Sequence, residues 1–130
     1  MASLLFLANQ TRPGIAFSVG RLARRITIPT EGDMAAAKAV VRYLKGTTDI
    51  SLVYGRAKRL AGWADSDWAG HVGTFKSTTV IVSTLHGGPL SWRSRLQGSV
   101  TSSTMEAEYV VAPKGVKNSL WLRLLVRFMG

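Results

Sequence analysis

Four of the seven acidic residues fall in two short i, i+2 pairs. Asp65 and Asp67 lie in Trp63-Ala-Asp-Ser-Asp-Trp-Ala-Gly70, and Glu106 and Glu108 lie in Ser103-Thr-Met-Glu-Ala-Glu-Tyr109. Two carboxylates brought to about 4 Å repel by roughly 4 kcal/mol at an effective dielectric near 20, so a site that gathers several needs a bound cation. A divalent metal is the natural candidate. The four are not equivalent. On a strand Asp65 and Asp67 share one face, with Asp65 nearer the interior, where a buried carboxylate must be hydrogen-bonded, paired or bound to metal. Asp67, close to Gly70, could simply open a turn. Ser103 and Glu106 have the S-x-x-E spacing of a capping box, which accounts for Glu106 as a helix cap. Glu108, one turn further on, reads by itself as a solvent-facing helix residue.

Other chemistries are poorly supplied. The chain has no cysteine, which excludes disulfides, thiolate zinc sites and thiol nucleophiles. Ser66, Ser91 and Ser102 have no base at a recognisable spacing, and His71 and His86 read as turn residues. The basic excess is large, 17 Lys and Arg against 7 acids for a formal charge of +10, and favours an anionic partner such as nucleic acid over a small-molecule substrate. Lys76, Arg93 and Arg95 flank the predicted strands and could track phosphates. Trp68 and Trp92 could stack on bases, though tryptophans on strands more often belong to a core. No apolar run approaches the roughly 20 residues of a membrane span. The expected setting is intracellular, cytoplasmic or nuclear; the acid-free, Arg-bearing first 28 residues also fit a mitochondrial presequence, which an amphipathic helix explains better.

The elements that must position these residues are well punctuated. A helix is predicted from Thr11-Arg-Pro13 to about Ile26, with Ile15, Val19, Leu22 and Ile26 on one face. A second follows Pro29, with Thr30 as N-cap, Asp33 as its partner, Ala37, Val40, Val41 and Leu44 as its stripe, and Gly46 as a left-handed C′ residue. Arg21, Arg24, Arg25, Lys38, Arg42 and Lys45 collect on the outer faces of this hairpin, as either a solvated or a phosphate-contacting surface. Strands are predicted at Ser51–Tyr54, Leu60–Trp68, Thr78–Leu85 and Leu90–Arg93, with a basic turn over 56–59 and a hairpin turn at Gly87-Gly88-Pro89. The final helix starts at Ser103, carries Leu120, Trp121, Leu124, Leu125 and Phe128 as its later stripe, and should kink or divide near Ala112 because of Pro113.

Taken in order, Leu4-Leu-Phe-Leu-Ala-Asn-Gln-Thr-Arg-Pro13, Val41-Arg-Tyr-Leu-Lys-Gly-Thr47, Ala64-Asp-Ser-Asp-Trp-Ala-Gly70, Lys76-Ser-Thr78, Ser91-Trp-Arg-Ser94, Gln97 and Glu106-Ala-Glu-Tyr109 with Leu120-Trp121 resemble the C-terminal part of copia-type LTR-retrotransposon Pol polyproteins. The resemblance implies a helical end of the reverse transcriptase, thumb or connection, over residues 1–49. Over 50–130 it implies a partial ribonuclease H-like domain, an α/β mixed sheet truncated after its first long helix. Proteins of that family cut the RNA strand of an RNA–DNA hybrid with two Mg²⁺ or Mn²⁺ ions on carboxylates. Carried over by position, Asp65 corresponds to the first-strand catalytic Asp and Glu108 to the helix Glu, both as metal ligands, with Asp67 an auxiliary acid and Glu106 left as the cap.

The sequence also departs from that pattern. The family's third catalytic Asp lies on a strand beyond the last helix, and here no acid follows Glu108. His71 stands where an acid is usual, Gly14 where Asp is, Val80 where Gly is, and Pro113-Lys-Gly115 replaces an Ala-rich helix. Mg²⁺ demands near-ideal octahedral geometry, so an incomplete carboxylate set implies weak metal binding and an inactive isolated chain. The expected partners are RNA–DNA hybrid or other nucleic acid and the rest of a Pol polyprotein. The competing expectation is a basic nucleic-acid-binding remnant without catalysis.

Overall fold

The computed structural model describes residues 1–56, 59–71 and 73–129. The chain divides into two compact units, Met1–Leu52 and Val53–Gly130. The first is helical: α1 (Ala2–Gln10), a single 3₁₀ turn at Pro13–Ile15, α2 (Ala16–Ala23) and α3 (Glu31–Gly46). The second is a three-stranded antiparallel sheet in the order β1 (Leu60–Asp67), β2 (Thr78–Leu85), β3 (Gly88–Leu96), followed by α4 (Thr104–Met129). The class is therefore mixed α and β.

In the helical unit the predicted face Ile15, Val19 and Leu22 is buried together with Val40 and Ala8. Val19 is fully enclosed. Leu4, Leu5 and Leu7 pack against this cluster from α1, a helix that the spacing of apolar residues did not predict. Ile26 and Val41 lie outside the core, because α2 ends at Ala23 and α3 turns Val41 outward. The start of α3 is as expected: Asp33 N donates to Thr30 Oγ1 and Thr30 N donates to Asp33 Oδ2, a complete capping box. Gly46 is the last helical residue rather than a left-handed C′, and Thr47 closes the helix with its hydroxyl on the Tyr43 carbonyl.

The sheet unit confirms β2 as the central strand, which suits its β-branched run. The hairpin turn sits one residue earlier than predicted. His86 and Gly87 both have positive φ (55° and 80°), the signature of a two-residue type I′ turn whose twist matches the strands it joins. Gly88 already belongs to β3 and pairs with Leu85. Leu90 is the extra residue of a bulge, since Ser83 pairs with Ser91 but Thr84 with Pro89. Ser51–Tyr54 forms no strand. Among the described residues, Gly55 N to His86 O and the Tyr54 hydroxyl to Pro89 O tie the end of this segment to the hairpin, too few bonds for a ladder. The two middle residues of the predicted basic turn at 56–59 lie outside the described residues.

The last helix runs unbroken through Pro113. A proline there removes the bond to the Tyr109 carbonyl and clashes with the preceding turn, at about 3 kcal/mol. Packing holds the helix together regardless: Ala107, Val111, Gly115 and Leu122 form a buried stripe along it. α4 lies chiefly over β1 and only marginally over β2. The fit is close, because a Cβ on Gly115 would stand 2.7 Å from Ala64 Cβ and one on Gly62 would stand 2.7 Å from Ser119 Oγ. The predicted stripe of Leu120, Trp121, Leu124, Leu125 and Phe128 is instead largely exposed, Phe128 to 91%, with Leu120 and Trp121 at the two margins of the helix where it meets the sheet.

Candidate functional site

The two acidic segments meet at one end of the sheet unit. Asp65 and Asp67 end β1, and the next residue, Trp68, donates its indole N–H to Thr101 O at 3.1 Å, in the loop before α4. Ser77 Oγ bonds Thr101 Oγ1 at 3.0 Å and accepts from Ala69 N, closing the same junction. One layer deeper, the amide of buried Gln97 donates to Thr79 Oγ1 and to Ala107 O, which seats the first turn of α4 on β2. Thr79 pairs with Ser66, so Glu106 and Glu108 begin their helix beside the end of β1 that bears the aspartates.

Within this end the four carboxylates have different tasks. Glu106 is a cap: its N–H donates to Ser103 Oγ, and its carboxylate accepts from Ser102 N and Ser102 Oγ, one residue before the expected reciprocal partner. The Ser102 backbone N–H, then its hydroxyl, hold the Glu106 carboxyl below its ordinary pKa, against a smaller opposing effect of burial. Asp67 closes a turn: Oδ1 accepts from Thr78 N at 3.1 Å across the mouth of the β1–β2 loop, and its carboxylate packs over Gly70 where no Cβ would fit. Left-handed Ala69 and Phe75 and the His71 bonds to Thr74, Phe75 and Lys76 shape the rest of that loop, so His71 is a turn residue as predicted.

Asp65 and Glu108 differ from these two. Asp65 was expected to be buried and is exposed, because Ala64 and Ser66 take the face that α4 covers, leaving Asp65 on the opposite, open face. Its Oδ1 accepts from Ser66 N at 2.8 Å. Glu108 is exposed and has no hydrogen-bond or ion-pair partner among the described residues. Among the described residues no three His, Asp or Glu side chains gather into a set that could hold a metal ion.

A second feature of the same unit was not legible as a group in the sequence. Because α4 lies over β1, the helix-side face of β3 is left open, and the gap between them is a groove of about 790 Å³. Arg93 and Arg95 line one wall, and Lys114, Lys117, Asn118 and Trp121 the other, over a floor that includes Thr79 and Ile81. The helical residues have the i, i+3, i+4, i+7 spacing of a single face. The acid-free stretch after Glu108 with Lys114, Lys117, Arg123 and Arg127 already implies a one-signed face; its pairing with Arg93 and Arg95 across a groove is what the sequence did not show. Lys76 lies in the β1–β2 loop and does not line this groove. Of the predicted stacking residues, Trp68 is half exposed and engaged with Thr101, and Trp92 is half-buried on the face opposite the groove.

No helix among the described residues is long and apolar enough to cross a membrane. No protein-family model matches the chain, and no solved structure matches it. Curated proteins do. The Pol polyprotein of transposon TNT 1-94 from Nicotiana tabacum is 38% identical over all of this chain and 10% of its own length. That of transposon RE2 from Arabidopsis thaliana is 36% identical over all of this chain and 9% of its own length. A protein named secreted RxLR effector protein 161, from Plasmopara viticola, is 35% identical over 98% of this chain and 91% of its own length. The likeness to the transposon proteins runs from end to end and takes in both helical and sheet units; the chain belongs to the retrovirus-related Pol polyproteins of copia-type transposons, of whose length it spans about a tenth.

Proposed function

We propose that this chain is the ribonuclease H-like segment of a transposon Pol polyprotein, preceded by the helical end of its reverse transcriptase, and that it engages RNA–DNA hybrid without cleaving it alone. The observation that carries the reading is that the Asp65-bearing end of β1 and the start of the Glu108-bearing helix lie at one end of a β1–β2–β3–α4 unit, joined by the Trp68–Thr101 and Gln97–Ala107 bonds, with Asp65 on the sheet face opposite the helix. Asp65 and Glu108 are the candidate ligands of Mg²⁺ or Mn²⁺. As they stand they do not fit such an ion: Asp67 is taken by Thr78 N, Glu106 by Ser102, and two exposed carboxylates fall short of a near-octahedral donor set. No hydrolytic step is therefore assigned to this chain by itself. Further donors would come from elsewhere in the longer Pol chain. The incomplete set also favours the second reading, a basic nucleic-acid-binding element without catalysis.

One experiment separates the two. A labelled RNA–DNA hybrid is incubated with Mg²⁺ or Mn²⁺ and this chain, its Asp65→Asn variant, or the corresponding longer Pol segment with and without that substitution. Cleavage by the longer segment that Asp65→Asn abolishes, with none by the short chain, is the expected result. Equal background in all four overturns the ribonuclease assignment and leaves the binding reading.

A further inference from the structure

The groove between α4 and β3 has no part in the acidic end and no task in the packing of the unit. Its walls carry four cations, Arg93, Arg95, Lys114 and Lys117, all exposed, and none of the chain's seven acids lines it. Arg93 and Arg95 are two apart on an edge strand, about 7 Å, and so stand as successive points along one wall. Lys114 and Lys117 are one helical turn apart on the facing wall, with Cβ atoms about 5–6 Å from one another. Four like charges line this concave space of about 790 Å³, an arrangement that focuses a positive potential there and raises the local concentration of anions.

The shape and chemistry narrow the anion further. Trp121, on the same helix face one turn beyond Lys117, is 58% exposed. Asn118, between them, is fixed by its amide on Ser83 Oγ at 3.0 Å, which holds this stretch of α4 in register with the sheet. Cations that track a backbone beside an aromatic ring open to a base are the features by which proteins hold a single strand. A duplex has its bases stacked inward and cannot use Trp121. An acidic peptide offers charge without the regular alternation of anionic backbone and flat ring that a nucleic-acid strand presents.

Resting on the nucleic-acid reading above, we propose that the α4–β3 groove holds single-stranded nucleic acid, its phosphates on Arg93, Arg95, Lys114 and Lys117 and one base on Trp121. The site is separate from the hybrid-engaging acidic end, and gives the segment a hold on a strand that is not paired.

The test uses the full chain and fluorescence anisotropy with a labelled oligo(dT) of about 15 nucleotides, the upper range of one single-strand site, and with an RNA–DNA hybrid of the same length. The double variant Arg93→Gln/Lys117→Gln should lower the slope of log affinity against log salt for oligo(dT) by about 1.4, at about 0.7 for each phosphate that is no longer neutralised. Arg42→Gln/Lys45→Gln, on α3, should leave that slope unchanged. Trp121→Ala should weaken oligo(dT) binding by about 5- to 160-fold, and Trp121→Phe should restore most of it. Circular dichroism of each variant checks that the fold persists. A reduced slope in the α3 variant but not the groove variant overturns the site, as does an unaffected Trp121→Ala. Equal weakening for oligo(dT) and hybrid in the groove variants overturns its selectivity for a single strand. If the unaltered chain binds neither probe in a salt-dependent way, the nucleic-acid reading itself fails, a result distinct from all the others.

Discussion

At the scale of single residues, position on a secondary element decided what each carboxylate does. Glu106 and Glu108 are two apart, yet one is consumed by the Ser102 backbone and hydroxyl and the other has no partner among the described residues. Asp65 and Asp67 divide differently: Asp65 accepts from the adjacent Ser66 N–H, whereas Asp67 reaches the Thr78 N–H across the loop. One of the residues that most resists replacement is not charged. Gly115 meets Ala64 with no space for a methyl, and the obstructing atom is itself a Cβ fixed to a strand, so it cannot rotate away. Gly115→Ala should push α4 off β1 and cost about 1–3 kcal/mol, read as a lower denaturation midpoint. Adding Ala64→Gly should recover part of that stability, and the double-mutant cycle measures the coupling of the two positions directly.

At the scale of elements, both long helices begin with a carboxylate bound to the backbone before it. Asp33 is held below its ordinary pKa by the Thr30 hydroxyl first, then by the Thr30 N–H, with Arg25 at 3.2 Å and Arg21 adding smaller effects against that of burial. Glu106 is held down by Ser102. A carboxyl whose folded pKa lies below its unfolded one stabilises the fold fully above the unfolded value, about 4, and ceases to do so as pH falls through the folded value. Glu106→Gln should therefore be less stable than the parent at neutral pH, and the gap should close as acid is added below a pH of about 4. Urea titrations at a series of pH values provide the check, and a gap that widens in acid would contradict it. Pro113 shows the opposite balance. Its local cost, about 3 kcal/mol, predicts a broken helix, and the buried stripe on either side overrides it.

For the whole chain, charge and apolar surface are distributed in ways that composition conceals. The helical unit has seven basic and three acidic residues, a net of +4, and the sheet unit ten and four, a net of +6. Both attract polyanions, but only the sheet unit concentrates cations in a groove also lined by an exposed tryptophan. The same unit leaves Leu120, Leu124 and Phe128 exposed on α4, and Trp63 exposed on the open face of β1. Apolar surface of that kind favours association. Sedimentation should show concentration-dependent self-association of the chain, and Leu124→Glu/Phe128→Glu should restore a monomer without loss of helix content. A parent chain that stays monomeric across the concentration range would refute this.

The sequence alone determined the features whose causes are local. Capping boxes, a β-branched central strand, a tight hairpin and the amphipathic face of α2 each depend on neighbours within a few positions, and the ordered motifs were sufficient to point to the Pol family. Tertiary structure decided what depends on contacts between distant segments. The sequence placed Asp65 on a strand, but the seat of α4 on Ala64 and Gly62 decided that its face would be the open one. The same seat carried α4 through Pro113, left Leu120, Leu124 and Leu125 exposed while burying Leu122, and left β3 uncovered. Arg93 and Arg95 could be named from the sequence. That they face Lys114, Lys117 and Trp121 across a groove follows only from where the helix comes to rest, because close packing at Gly62 and Gly115 fixes that position and no local preference does.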